Sequence, residues 1–493
     1  MGVGMFMAML DIQIVASSLA QIQGGLMASA DEVSWVQTSY LIAEVIMVPL
    51  AGYLARLLST HLLFSLSALG FSLASLGCAS ATSMEAMIAF RALQGFAGGA
   101  MIPLVFATGF TLFPGKRQAA VSVAMGMIVT LAPALGPSVG GYITEQLSWQ
   151  WLFIINVIPG ILIASTVWSL IRIDRGDRRL LKSLDVPGLI LLAVFLGSLQ
   201  YVLEEGPENR WLYDSQIFVV ATVSAVAGVL FLSRVFSCRD PIVDLRVFAS
   251  RNFAIGSFYN FSLGVGLWGM LFLMPLFLAW VRDYNSFQIG VIMLVTGACM
   301  FLSAPLAGLL AKILDLRLML GIGLTMISVS IYLNCFLTAE SGFWELFAPQ
   351  VLRGLSLMIC LIPANMLALG MLRPDQLKNA SGLYVLSHSL GGAIGLAAIN
   401  AVLIARTAVH HAYLVDGINL QRAIARYDLG EMTEAGQNTG ALRLLAETVK
   451  REATVLAFND VIQFLALAVA VTLALLPFIR IPRPPAAAQA QPA

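Results

Sequence analysis

Five side chains can ionise inside stretches that are otherwise apolar: Asp11, Glu44, Arg91, Arg353 and His388. A charge at the centre of a membrane-crossing helix costs about 2.5–3.5 kcal/mol on insertion scales, so each must face a partner or a water-filled cavity. A carboxylate's proton affinity rises with desolvation and falls as a cation approaches. Asp11 and Glu44, with Arg91 in reach, therefore fit a proton-coupling set driven by changes in their separation; a static Asp11–Arg91 ion pair fits the same residues. Arg353 and His388 form a candidate second polar site in the distal half. An unperturbed imidazole titrates near neutral pH, and His388 fits either a proton site or a packing role. Covalent chemistry has no support: there is no nucleophile–base pair, no metal-type His/Cys spacing and no phosphate-binding glycine loop. The five cysteines, Cys78, Cys238, Cys299, Cys335 and Cys360, are an odd number, and four lie in apolar runs. No disulfide framework, metal or cofactor is expected, and no enzyme.

The elements that position these charges are membrane spans. The chain has 493 residues, 59% hydrophobic and 11% charged, with mean hydropathy +0.87. Soluble chains carry about 25% charged residues. Apolar runs long enough to cross a bilayer recur fourteen times, the first at 2–20 and the second at 33–54. Asp11 and Glu44 sit at the midpoints of those two. The short loops on one side hold most of the Lys and Arg, including Arg56, Lys116, the Arg172–Lys182 cluster, Arg234–Arg251, Lys312, Arg317, Arg373 and Lys378. The opposite loops hold Arg210 and Arg282 among acids, with tryptophans nearby. The positive-inside rule puts both termini in the cytosol. With a net charge of +1, no nucleic-acid partner is implied.

An internal repeat organises the spans. "PLAGYLARLLSTHLLF" at 49–64 matches "PLAGLLAKILDLRLML" at 305–320, and "LGPSVG" at 135–140 matches "LGGAIG" at 390–395. A weaker match sets Arg91, Gly95 and Pro103 against Arg353, Gly354 and Pro363. The repeats start on spans of one orientation, so two parallel six-helix halves flank two inserted helices over 184–235. This is the major facilitator arrangement, in which alternating access works by rocking two bundles about a midplane site. The expected organisation is an all-α polytopic protein: a six-helix bundle over 1–172, a linker with the inserted helices over 173–240, a second bundle over 241–480 and a disordered tail over 481–493. Residues 406–455 form a long outer segment with two helix-like stretches, either a cap on the last hairpin or a docking surface. On the fifth span, Gly136, Gly140 and Gly141 surround Pro137; small residues four apart let helices approach closely.

These strings resemble a known family. "GPSVGG" (136–141) resembles the antiporter motif of drug exporters in the major facilitator superfamily. "RALQGFAGGAMIP" (91–103) resembles their motif B, with Arg91 at its basic position, and "MLDIQIVASSL" (9–19) the first-helix motif, with Asp11 at its acid. "WQWLFIINVIPG" (149–160) and "PIVDLRVFASRNF" (241–253) resemble further motifs of the fourteen-span EmrB/QacA group, EmrB-type above all. The resemblance implies proton-coupled export of hydrophobic or amphipathic compounds across a bacterial inner membrane. Asp11 and Glu44 would exchange protons, with Arg91 tuning them and Gln37 and Glu44 in a substrate cavity between the halves. It also implies a HlyD-family periplasmic adaptor and a TolC-type outer-membrane channel as partners. An exporter dedicated to one natural product, siderophore or fatty acid is the alternative on the same fold. Two departures stand out. Motif A carries Arg56 where its acid belongs and Ser59 where its second glycine belongs, so the latch between halves is either missing or expected at Asp315 and the Lys312 region. Glu44 stands where a neutral polar residue is usual, which favours cationic substrates or an altered proton count.

Overall fold

A computed structural model describes residues 1–114, 117–207, 209, 211–238, 240–417 and 439–479. Every long element is a helix, because in lipid each backbone N–H and C=O has to be satisfied within its own segment. Thirteen helices are long and apolar enough to span a bilayer, or fourteen when the first, bent pair counts as one. That pair, α1, comprises Gly2–Ala16 and Leu19–Leu26, bent by 67°. The expected unbroken span at 2–20 is thus interrupted at a serine pair, where Ser17 Oγ bonds back to the Ile14 carbonyl, a known cause of kinks.

The first half continues with α2 (Ala30–Leu58), α3 (Thr60–Ala79), α4 (Met84–Leu112), α5 (Gln118–Gln146) and α6 (Trp151–Leu170). The inserted pair is α7 (Val186–Glu205) and α8 (Ser215–Ser237). The second half comprises α9 (Arg251–Arg282), α10 (Ser286–Ile313), α11 (Leu316–Leu333), α12 (Phe343–Ala368), α13 (Pro374–Gly417) and α14 (Thr439–Val471). Helix starts carry polar caps. Ser29 and Glu32 make a capping box on α2, Asn285 and Gln288 one on α10, and Asp185 and Asp214 cap the inserted helices.

The repeat is visible in packing. α1 lies on α5 as α9 lies on α13, and α2 lies on α4 as α10 lies on α12. Glycines seat these pairs. A Cβ at Gly136 would stand 2.2 Å from Gln13 Cβ, and one at Gly140 2.6 Å from Ser17 Oγ; Gly141 meets nothing within 4 Å. In the second half, Gly391 and Gly395 meet Phe261 and Val265 on α9 in the same way. The weaker match needs a correction in register. Gly95 approaches the Tyr40 carbonyl on α2, and Gly354 the Thr296 carbonyl on α10. With those two glycines equivalent, Arg353 occupies the position of Gln94, not of Arg91.

The halves meet along two seams, α5 with α10 and α2 with α13. At the α2–α13 seam the backbones nearly touch: a Cβ at Gly52 would come within 2.5 Å of the Lys378 carbonyl. This contact lies at the arginine-rich end of the bundle. α13 is 44 residues long, roughly 66 Å at 1.5 Å per residue, about twice the hydrocarbon thickness. It and α14 therefore extend past the bundle at the opposite end, making most of the 406–455 segment a continuation of two spans. Residues 418–438 and the tail expected to be disordered, 481–493, lie outside the described residues.

Candidate functional site

Two polar constellations occupy the first half, and they differ in access. The first is closed. Asp11 and Arg91 are both 0% exposed and pair through Oδ2 and Nη1 at 2.7 Å. The Asp11 Oδ1 accepts from Asn156 Nδ2 at 2.6 Å and Gln94 Nε2 at 3.0 Å. Arg91 donates through Nε to the Val36 carbonyl at 2.9 Å and through Nη1 to Gln94 Oε1 at 2.6 Å, and Gln94 donates to Ser75. The guanidinium carbon lies 4.4 Å from the centroid of Tyr40 and 5.8 Å from that of Phe153. Five helices, α1, α2, α3, α4 and α6, hold this network in place.

The second is open to a cavity of about 130 Å³ between the halves. Its wall includes Gln37, Glu44, Gln200, Glu204, Trp268 and His388, and the rest is mainly apolar. Glu44 is 7% exposed and, among the described residues, makes no hydrogen bond or ion pair. A buried carboxylate without a donor is a costly arrangement, unlike the saturated Asp11. The lining comes from α1, α2, α4, α5, α9 and α13, joined by the inserted helix α7.

The paired candidates of the second half sit in separate networks. Arg353 is buried and donates through Nη2 to Thr296 Oγ1 at 3.1 Å and to Gln350 Oε1, with no carboxylate in reach among the described residues. His388 Nδ1 lies 3.2 Å from the Asn260 carbonyl, and its ring lines the cavity. Of the antiporter-motif residues, Gly136 and Gly140 belong to the α1–α5 seat rather than to the Asp11 network, and Pro137 lies between them on α5.

An ion pair does bridge the α2–α13 seam, but not at Asp315, where a latch was one expectation. Asp315 caps α11 by accepting from the Arg317 amide. Instead Asp174, just past α6, pairs with Lys378 at the start of α13 and accepts from the Thr60 amide at 2.9 Å and the Thr60 hydroxyl at 2.9 Å. Lys378 also donates to the Ala55 carbonyl at the end of α2. Burial alone would raise the Asp174 pKa; the hydrogen bonds from Lys378 and Thr60, with the lysine charge, outweigh it and hold the carboxyl below its ordinary 3.8. Sequence reasoning missed Asp174 and Lys378 as partners, although the missing motif A acid called for a substitute and "RIDRGDRR" supplied one. It also missed Asn156, Gln94 and Glu204. The first two lie inside motif strings, whereas Glu204 looked like a loop residue.

Comparison with known proteins agrees with this architecture. Residues 1–396 match the Major Facilitator Superfamily profile. The chain is 41% identical over 475 residues to the colistin resistance protein EmrB of Acinetobacter baumannii, covering 95% of this chain and 93% of that one. It is 32% identical to the multidrug export protein EmrB of Escherichia coli K12, covering 84% and 81%. The crystal structure of the human organic anion transporter MFSD10 superposes with a TM-score of 0.59 at 13% identity, covering 95% and 97%. The chain thus belongs to the major facilitator superfamily and, within it, to the EmrB group.

Proposed function

We propose that this protein exports hydrophobic and amphipathic compounds across a bacterial inner membrane, with both termini in the cytosol, by proton-driven alternating access. The observation that carries the reading is the cavity between two pseudo-symmetric bundles, whose wall holds one buried, unpartnered carboxylate. Support also comes from relatives named for multidrug export and for colistin resistance.

Glu44 is the exchanging acid, because a proton or a substrate cation reaches it from the cavity. Asp11 and Arg91 complete the proton-coupling set from a sealed position. Neutralising Asp11 would strand the Arg91 charge in a buried site, which is strongly unfavourable. Their pair therefore holds α1, α4 and α6 as one rigid body while Glu44 titrates. Closing the α2–α13 seam through Asp174 and Lys378 seals the cytosolic side, and its rupture opens the cavity inward.

The extension formed by α13 and α14 docks a HlyD-family adaptor that leads to a TolC-type channel. Val409 and Tyr413 are exposed on it, and an apolar pair on a helix beyond the bilayer suits a partner helix.

The test is substrate efflux in proteoliposomes with an imposed pH gradient. Wild-type protein is expected to accumulate substrate against its gradient, and Glu44→Gln to lose that accumulation while retaining downhill movement. Gradient-driven accumulation by Glu44→Gln equal to wild type would remove Glu44 from the cycle. Protection of cells against a single compound class would select the dedicated exporter.

A further inference from the structure

The inserted helix α7 forms part of the cavity wall. Three contacts fix it there. At Gly197 the helix packs on Ile42 and Ile46 of α2, whose side-chain ends would lie 3.5 and 3.3 Å from a Cβ at that position. One turn on, Tyr201 packs on Trp35 with centroids 5.5 Å apart. At the helix end Glu205 accepts from Ser34 and Thr38. With that face bound to α2, the neighbouring face carries Gln200 and Glu204, four residues apart, into the cavity. Gln200 is buried and donates to Glu204 Oε1 at 2.9 Å, which aims the carboxylate.

The cavity therefore has two acidic stations at different depths. Glu205 meets α2 at the level of Ser34 and Thr38, so this end of α7 lies six to ten residues of helix rise from Glu44, roughly 9–15 Å along the axis. Met9, Ile12, Leu41 and Trp268 are among the apolar residues of the same wall. We infer that α7 is a specificity element of this exporter, and that the cavity selects elongated organic cations with two positive centres, one held at Glu44 and the other at Glu204. The inference rests on the exporter reading above. The apolar wall takes the spacer, and a low-dielectric cavity strengthens each charge pairing over its value in water.

A matched series tests this with full-length protein in lipid nanodiscs: decamethonium with two charges, decyltrimethylammonium with one and decanamide with none, read by equilibrium binding. Wild type is expected to bind decamethonium about tenfold tighter than decyltrimethylammonium, the size of one added charge contact. Glu204→Gln should bring the two to parity, and Glu204→Asp should restore most of the preference, an outcome that a folding defect would not produce. A wild-type protein indifferent to the second charge, or a Glu204→Gln variant with the preference intact, overturns the role of α7 and leaves the exporter standing. Failure of wild type to bind any of the three overturns both readings.

Discussion

The two halves share a scaffold and diverge in their buried charge. In the first, Arg91 is neutralised by Asp11 and every oxygen of that carboxylate has a donor. In the second, among the described residues, Arg353 has only the neutral oxygens of Thr296 and Gln350. The packing register puts Tyr259 where Asp11 would fall, since Gln13 and Ser17 correspond to Phe261 and Val265. Helix seating survives divergence because it needs only small residues at fixed spacing, whereas a charge network needs several specific side chains at once. The first half thus carries the ionic machinery, and the second supplies the opposite wall of the cavity and the lysine of the latch.

The widest separation between the halves should come from removing their charges. Asp11→Ala leaves Arg91 buried without a counter-ion and should cost about 3–5 kcal/mol, read as a loss of thermal stability in detergent. Arg353→Met removes a charge that has no ionic partner and should cost about 1–3 kcal/mol, for the hydrogen bonds lost. Equal losses would erase the asymmetry.

The shared scaffold makes the converse prediction. Gly136→Ala and Gly391→Ala should each destabilise by about 1–3 kcal/mol through overpacking. The two losses should be similar, because each glycine faces a rigid neighbour at 2.2 Å, the Phe261 carbonyl oxygen for Gly391 and the Gln13 Cβ for Gly136. A neutral result at either would show that its seat yields.

Between the halves, Asp174→Asn should weaken closure by about 1 kcal/mol, the scale of a partly exposed ion pair. It would be seen as a longer distance between spin labels at the arginine-rich ends of α2 and α13. Because the folded Asp174 pKa is depressed, its contribution is present above the ordinary value of 3.8 and is lost as pH falls through the lowered one. In wild type the label distance should stay constant from neutrality to about pH 4 and lengthen below it. A transition near pH 6 would assign closure to another group.

The smallest effect concerns a single turn. Ser59 adopts φ 96°, while its repeat counterpart Asp315 sits at φ −61°. A left-handed serine costs roughly 1 kcal/mol, and glycine restores part of it, so Ser59→Gly should stabilise by about 0.5 kcal/mol. Destabilisation would mean that the Ser59–His61 hydroxyl contact outweighs the strain.

The spans, the two-half architecture, the family and the few residues able to carry charge through lipid were legible along the chain. Those properties are local: hydropathy, punctuation by glycine and proline, and short strings such as "GPSVGG" are read along one helix at a time. Only the tertiary structure decided how the charges are distributed among their neighbours. Asp11 and Glu44 look alike in sequence, each a lone acid midway along a span. One is saturated by donors from α4 and α6, and the other is left facing a cavity, because helix rotation within the bundle sets what each side chain meets. The same holds for Asp174, which found its lysine 204 residues away, and for Glu204, which the packing of α7 on α2 brings to the cavity.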